Sequence, residues 1–157
     1  MPDNNTARIE AKVTHLFAAP PEAVYDALVE PATVRRWQEA WANTGASGTI
    51  TGFDFNPEVG GAYRILGTRN GEPSDNWGTF LALDRPTRVS YTFIVDPSEE
   101  QDPSVVTIII EPEPEGSGSV VTLYNEMDAR WSDYLPQTER AWMRMLEAVD
   151  TTLRHGA

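Results

Sequence analysis

The chain contains no cysteine, a single lysine (Lys12) and two histidines in 157 residues. Without cysteine there is no disulfide, no thiolate nucleophile and no thiolate metal site. His15 and His155 lie near opposite ends of the sequence, a spacing that makes no metal site. No apolar run approaches the length of a membrane span. The first residues, Met1-Pro2-Asp3-Asn4-Asn5-Thr6, are polar and carry no secretory pattern, so a cytoplasmic location is expected. Basic residues are also scarce. Twelve Lys and Arg face 24 Asp and Glu, giving a net charge of −12. A field of that sign repels phosphate backbones and anionic lipid. Neither nucleic-acid binding nor membrane insertion is expected.

What is present is the composition of a globular chain: 40% hydrophobic residues, with five Trp, five Tyr and five Phe. The length fits one domain, expected over residues 8–155 with a flexible segment at 1–7. Ile9, Ala11, Val13, His15 and Phe17 alternate with more polar residues, the two-residue period of a strand. Pro21–Leu28 and Pro31–Trp37 follow as short helices, each opened by a proline that the first turn tolerates because its N–H groups lack helical partners. Strands are predicted at 50–55, 62–68, 76–83, 89–93, 105–110 and 120–126. Asn70-Gly71 reads as a turn between two of them. The acidic stretch Asp96–Ser104 reads as a mobile loop. Leu135, Thr138, Trp142, Met145, Leu146, Val149 and Leu153 recur at three- and four-residue steps, predicting a long amphipathic helix with Asp133 as its N-cap. Strands joined by turns without crossover helices imply an antiparallel sheet.

The order of these elements, and certain residues within them, resembles the START-like helix-grip superfamily. The closest likeness is to the branch named after the activator of the Hsp90 ATPase. The matching pieces are Ala19-Pro20-Pro21-Glu22-Ala23-Val24-Tyr25-Asp26-Ala27-Leu28, Pro31 to Trp37, Val59-Gly60-Gly61-Ala62-Tyr63-Arg64-Ile65, Gly78-Thr79-Phe80-Leu81-Ala82-Leu83, Asp84-Arg85-Pro86-Thr87-Arg88-Val89, and Trp142 with Leu146. The resemblance implies an α+β helix-grip: a curved six- to seven-stranded antiparallel sheet wrapped around a long C-terminal helix, with two short helices after the first strand. It also implies a space between sheet and helix. Members of the superfamily bind sterols, lipids, polyketides and plant hormones, and some are cyclases or aromatases. The chain departs from the family near the expected pocket mouth, at Gln38-Glu39-Ala40-Trp41 and at Asn125–Ser132, so its ligand is not inherited.

Within that frame the aromatic residues are the candidate ligand contacts. Phe53, Phe55, Tyr63, Ile65, Trp77, Tyr91 and Phe93 are expected to face the terminal helix. Trp37, Trp41 and Trp142 are expected to close the ends, Met127 and Met145 are further candidate contacts, and Asn125, Tyr63 and Tyr91 are candidate polar anchors. Such a lining suits a small, flat, apolar molecule; for each residue the alternative is plain core packing. Arg64 should point to the opposite face. Gly60-Gly61 precedes a strand rather than a helix, so it reads as a bend and not as a phosphate cradle. Gly116-Ser117-Gly118-Ser119 lacks the strand-to-helix turn of a nucleophile elbow. No catalytic residue, metal ligand or cofactor is singled out, and a homodimer is left open. Binding of a small hydrophobic molecule, aromatic or lipid-like, ranks first. A polyketide cyclase or dehydratase using the same cavity, helped by Tyr91, Asn125 or His15, ranks second. A co-chaperone-like interaction module ranks third.

Overall fold

The prolines, glycines and alternating apolar residues divide the chain as the sequence suggests. The computed structural model describes residues 8–42, 48–69 and 72–155. The segment 1–7 and the Asn70-Gly71 turn therefore lie outside the described residues. The chain runs as β1 (Arg8–Phe17), α1 (Pro21–Val29), α2 (Pro31–Ala42), β2 (Gly48–Phe55), β3 (Ala62–Arg69), β4 (Glu72–Asp84), β5 (Arg88–Phe93), β6 (Ser104–Pro112), β7 (Ser119–Asp128) and α3 (Leu135–His155). All neighbouring strands pair antiparallel, in the order β1-β7-β6-β5-β4-β3-β2. After β1 the chain passes through α1 and α2 to the far edge and then meanders back, so that β7 pairs with β1. The curved sheet holds α3 against its inner face.

The core follows from the strand period. On β6 and β7 the inward residues Val106, Ile108, Ile110, Val121 and Leu123 are at most 1% exposed, and Met145, Leu146 and Val149 of α3 meet them with the same burial. Each such side chain contributes about 1.5–3 kcal/mol on leaving water. The edge strand β1 is not left open along its length: the Lys12 N–H donates to Glu139 Oε2 of α3 at 3.0 Å. That contact covers an edge donor that would otherwise template further pairing.

The bend at Gly60-Gly61 is present. Gly60 has φ +86°, a left-handed conformation that glycine adopts without steric cost. Its N–H donates to Phe80 O, and Phe80 N–H donates to Gly61 O, both at 2.9 Å, which ties the bend to β4.

Three local expectations change. Helix α2 continues beyond Trp37 to Ala42. Asp133 is not the cap of α3: it lies within a 3-10 turn, Ala129–Tyr134, whose first N–H groups are capped by Asp128 through Arg130 N at 2.8 Å. Tertiary packing has inserted an extra turn where periodicity alone placed one helix start. The acidic stretch after β5 is tied down as well. The Asp96 carboxylate accepts from Ser98 N, and Glu99 Oε1 accepts from Asp96 N, a capping box that satisfies orphan donors reciprocally. The Arg8 guanidinium reaches over from β1 to Asp102 at 3.0 Å.

Candidate functional site

The space between sheet and α3 is built chiefly by β3, β4 and β5. Tyr63 and Ile65 point inward from β3, and register places Gly78 and Asn76 of β4 on the same face. Phe80 and Tyr91 pair across β4 and β5. The rings of Phe55, Tyr63, Phe80 and Tyr91 form one cluster with centroids 5.3–6.3 Å apart, the separation of edge-to-face and tilted aromatic pairs. Helix α2 closes one side: Trp37 is 4% exposed and donates its indole N–H to Ala27 O at 2.8 Å. Met145 of α3 lies across from the cluster.

What remains open inside this cluster is small. The cavity lined by Phe55, Tyr63, Ile65, Tyr91, Trp142 and their neighbours has a volume of about 30 Å³. That suffices for water and is far below the roughly 300–1,000 Å³ of ligand pockets. The expectation of a hollow running beneath the helix is therefore corrected. The aromatic side chains are large enough to interlock across the two layers and fill it.

The larger space lies one step outward. A cleft of about 560 Å³ opens between the β5–β6 connection, β7, the 3-10 turn and the first turns of α3. Phe93 and Trp142 border both spaces. Their rings meet at 4.9 Å with an interplanar angle of 67°, and they form the partition. Trp142 is 4% exposed and fixed by its indole N–H, which donates to Asn125 Oδ1 at 2.8 Å. Asn125 and Met127 of β7 form the floor. Val95 and Tyr134, each 53% exposed, form an apolar rim with Trp131. Asp96 and Glu99 complete the lining opposite.

The expected contacts are thus distributed. Tyr63, Ile65, Phe55, Tyr91, Trp37 and Met145 lie around the small inner cavity, Phe93 and Trp142 at the partition, and Asn125 and Met127 in the cleft. Phe53 stacks on Phe55 at 5.5 Å and is covered by the Arg35 guanidinium of α2. Trp41 belongs to α2, and its side chain lies outside the described residues. Trp77 is a correction. It pairs with Arg64 on the outer face of the sheet, where the guanidinium stacks at 5.0 Å and the indole N–H donates to Glu100 at 3.2 Å. Inward positions on β4 are Asn76, Gly78 and Phe80, so residue 77 has the opposite parity despite its type. Arg64 points outward as expected and also binds Asp75. His15 sits under the far part of α3, with Nε2 3.0 Å from Asp150 Oδ2, and borders neither space.

The sequence reading missed Val95, Asp96, Glu99, Ser104, Trp131, Tyr134, Gln137, Thr138 and Ala141 of the cleft. The one available signal was the departure from the family at Asn125–Ser132, which marked the mouth without its far wall.

Burial pushes the Tyr91 hydroxyl up in pKa, and it pushes Tyr63 well up, with the nearby Tyr91 adding to the effect. Both phenols stay protonated as hydrogen-bond donors at neutral pH; Tyr63 Oη donates to Thr92 O at 2.8 Å. Asp96 is held below the usual carboxylate range, first by the Ser98 backbone N–H. Among the described residues no group of three or more His, Asp or Glu side chains is placed to hold a metal.

A curved antiparallel sheet gripping a C-terminal helix, with two short helices plugging one end, defines a START-like helix-grip protein. Residues 18–154 match the family described as Activator of Hsp90 ATPase homolog 1-like protein, and the chain belongs to that family. Solved structures share the fold. CV1439 from Chromobacterium violaceum is 20% identical, with 90% of this chain and 95% of that one covered and a TM-score of 0.73. SA2116 from Staphylococcus aureus, a protein of unknown function, is 19% identical, with 96% and 98% covered and a TM-score of 0.74. DynU16, from the dynemicin biosynthetic locus, is 15% identical with a TM-score of 0.69; 94% of this chain is covered but only 48% of DynU16. No curated protein sequence matches the chain.

Proposed function

We propose that this protein binds a small hydrophobic molecule, and that the ligand lies in the cleft beside α3 with its inner end against Phe93 and Trp142. The observation that carries this reading is the cleft of about 560 Å³ adjoining a small aromatic cavity, with those two rings as the shared wall. Its volume falls within the range of drug-sized ligands, and its walls set the apolar side chains of Phe93, Val95, Met127, Trp131 and Trp142 beside polar ones. The family fold supports the same role. Binding ranks above cyclase chemistry because neither Tyr91 nor His15, the ionisable groups considered for that chemistry, lines the cleft.

The test is saturable binding of the neutral fluorophore N-phenyl-1-naphthylamine, with a blue-shifted emission. Ala141→Trp, which fills the cleft from a half-buried position on α3, should abolish the signal while the far-UV circular dichroism stays native. Equal binding by the variant, or none by the wild type, would overturn the assignment.

A further inference from the structure

We infer, resting on the binding role just proposed, that the cleft selects uncharged aromatic molecules carrying a hydrogen-bond acceptor, which Asn125 holds, and that Asp96 and Glu99 turn anionic molecules away. Asn125 is 3% exposed and borders the cleft. The Trp142 indole can only donate, so its 2.8 Å contact fixes the amide oxygen toward Trp142 and the NH₂ group away from it. One amide hydrogen meets Val105 O at 3.4 Å, a long contact. Among the described residues the other has no acceptor. A buried donor left unmatched is costly, and a carbonyl or ether oxygen in the cleft would match it.

Charge supplies the second half. The ionisable carboxylates lining the cleft are Asp96 and Glu99, and neither Lys nor Arg lines it. Both carboxylates are held in place by backbone donors: Ser98 N for Asp96, and Val95 N and Asp96 N for Glu99, all at 2.9 Å. Arg130 stacks on the Trp131 ring at 5.0 Å and offsets part of the Asp96 charge, but it is not part of the lining. The net charge of −12 adds to the same field. A fatty-acid or aryl carboxylate entering here meets like charge and no Lys or Arg in the lining, whereas a neutral ketone meets an amide donor.

Three probes of nearly one shape separate these effects: 2-acetylnaphthalene, 2-ethylnaphthalene and 2-naphthoate, titrated by calorimetry at low and high salt. The ketone should bind about tenfold more tightly than the hydrocarbon, the return on one buried hydrogen bond. Naphthoate should bind about tenfold more weakly than the ketone at low salt, with the gap narrowing as salt screens the field. Asn125→Leu should bring the ketone down to the hydrocarbon. Asp96→Asn with Glu99→Gln keeps the capping geometry and should raise naphthoate affinity several-fold. Equal affinity for ketone and hydrocarbon in the wild type, or naphthoate as the tightest probe, would overturn the selectivity while leaving binding intact. These wild-type comparisons hold even if Asn125→Leu does not fold. Failure of all three probes to bind would remove the binding role itself, and the selectivity with it.

Discussion

Phe93→Ala tests the idea that the Phe93 ring, together with Trp142, separates the small inner cavity from the cleft. Truncating a buried Phe costs about 3–5 kcal/mol. Phe93 is only partly buried, which lowers the transfer contribution, while its edge-to-face contact with Trp142 adds about 0.5–1.5 kcal/mol. A loss of about 2–3 kcal/mol is expected. With urea slopes of about 1–3 kcal/mol per molar for domains of this size, the unfolding midpoint should fall by about 0.7–3 M. The same truncation joins the inner cavity to the cleft, so N-phenyl-1-naphthylamine should bind several-fold more tightly and tolerate bulkier aromatic analogues. Urea titration followed by tryptophan fluorescence gives the first number, and probe titration gives the second. A loss below about 0.5 kcal/mol would mean that Phe93 is not packed as a wall. A full loss with unchanged selectivity for probe size would mean that the inner space does not communicate with the cleft.

Gly78→Ala should destabilise the fold by about 1–3 kcal/mol or more, because the new Cβ would lie 2.0 Å from the Thr92 carbonyl oxygen, a backbone atom; thermal unfolding measures this, and a neutral result would contradict the close approach of β4 and β5. Stability should fall as pH rises beyond about 10. Tyr63 and Tyr91 are raised above their usual value of 10.0 in the folded state, so the unfolded chain releases protons first; urea midpoints that do not change between pH 9 and 11 would refute it. Asp26, held low by its hydrogen bond and ion pair with Arg85, works in the opposite direction, its contribution being present at neutral pH and lost as pH drops through the acid range. Because that pair is half exposed, Asp26→Asn should cost less than about 1 kcal/mol at pH 7, and a larger loss in a urea titration would show that α1 depends on this contact.

Much of the architecture was legible because it is set by local period and by residues with unusual backbone rules. Pro21 and Pro31 open their helices, Gly60 takes the left-handed bend, and the alternation on β6 and β7 already separates Val106, Ile108, Val121 and Leu123 from their outward neighbours. The site was legible only in part. Asn125, Met127, Phe93 and Trp142 were among the expected contacts, but the wall opposite them was not. That wall comes from the segment after β5 and from the 3-10 turn before α3. Neither segment has a hydrophobic period to read. Trp77 shows the same limit from another side: aromatic type suggested the inner face, while the pairing of Tyr63 with Gly78 put residue 77 outside.

The sequence by itself determined which segments are strands and helices, the antiparallel character of the sheet, the negative field and the family. Those properties depend on neighbours along the chain or on sums over it. Only the tertiary structure decided how closely α3 settles on the sheet, and hence that the space beneath it shrinks to about 30 Å³ while about 560 Å³ opens beside it. Free volume is the difference between two packed layers, and it is set by side chains distant in sequence that meet only once the sheet has curled.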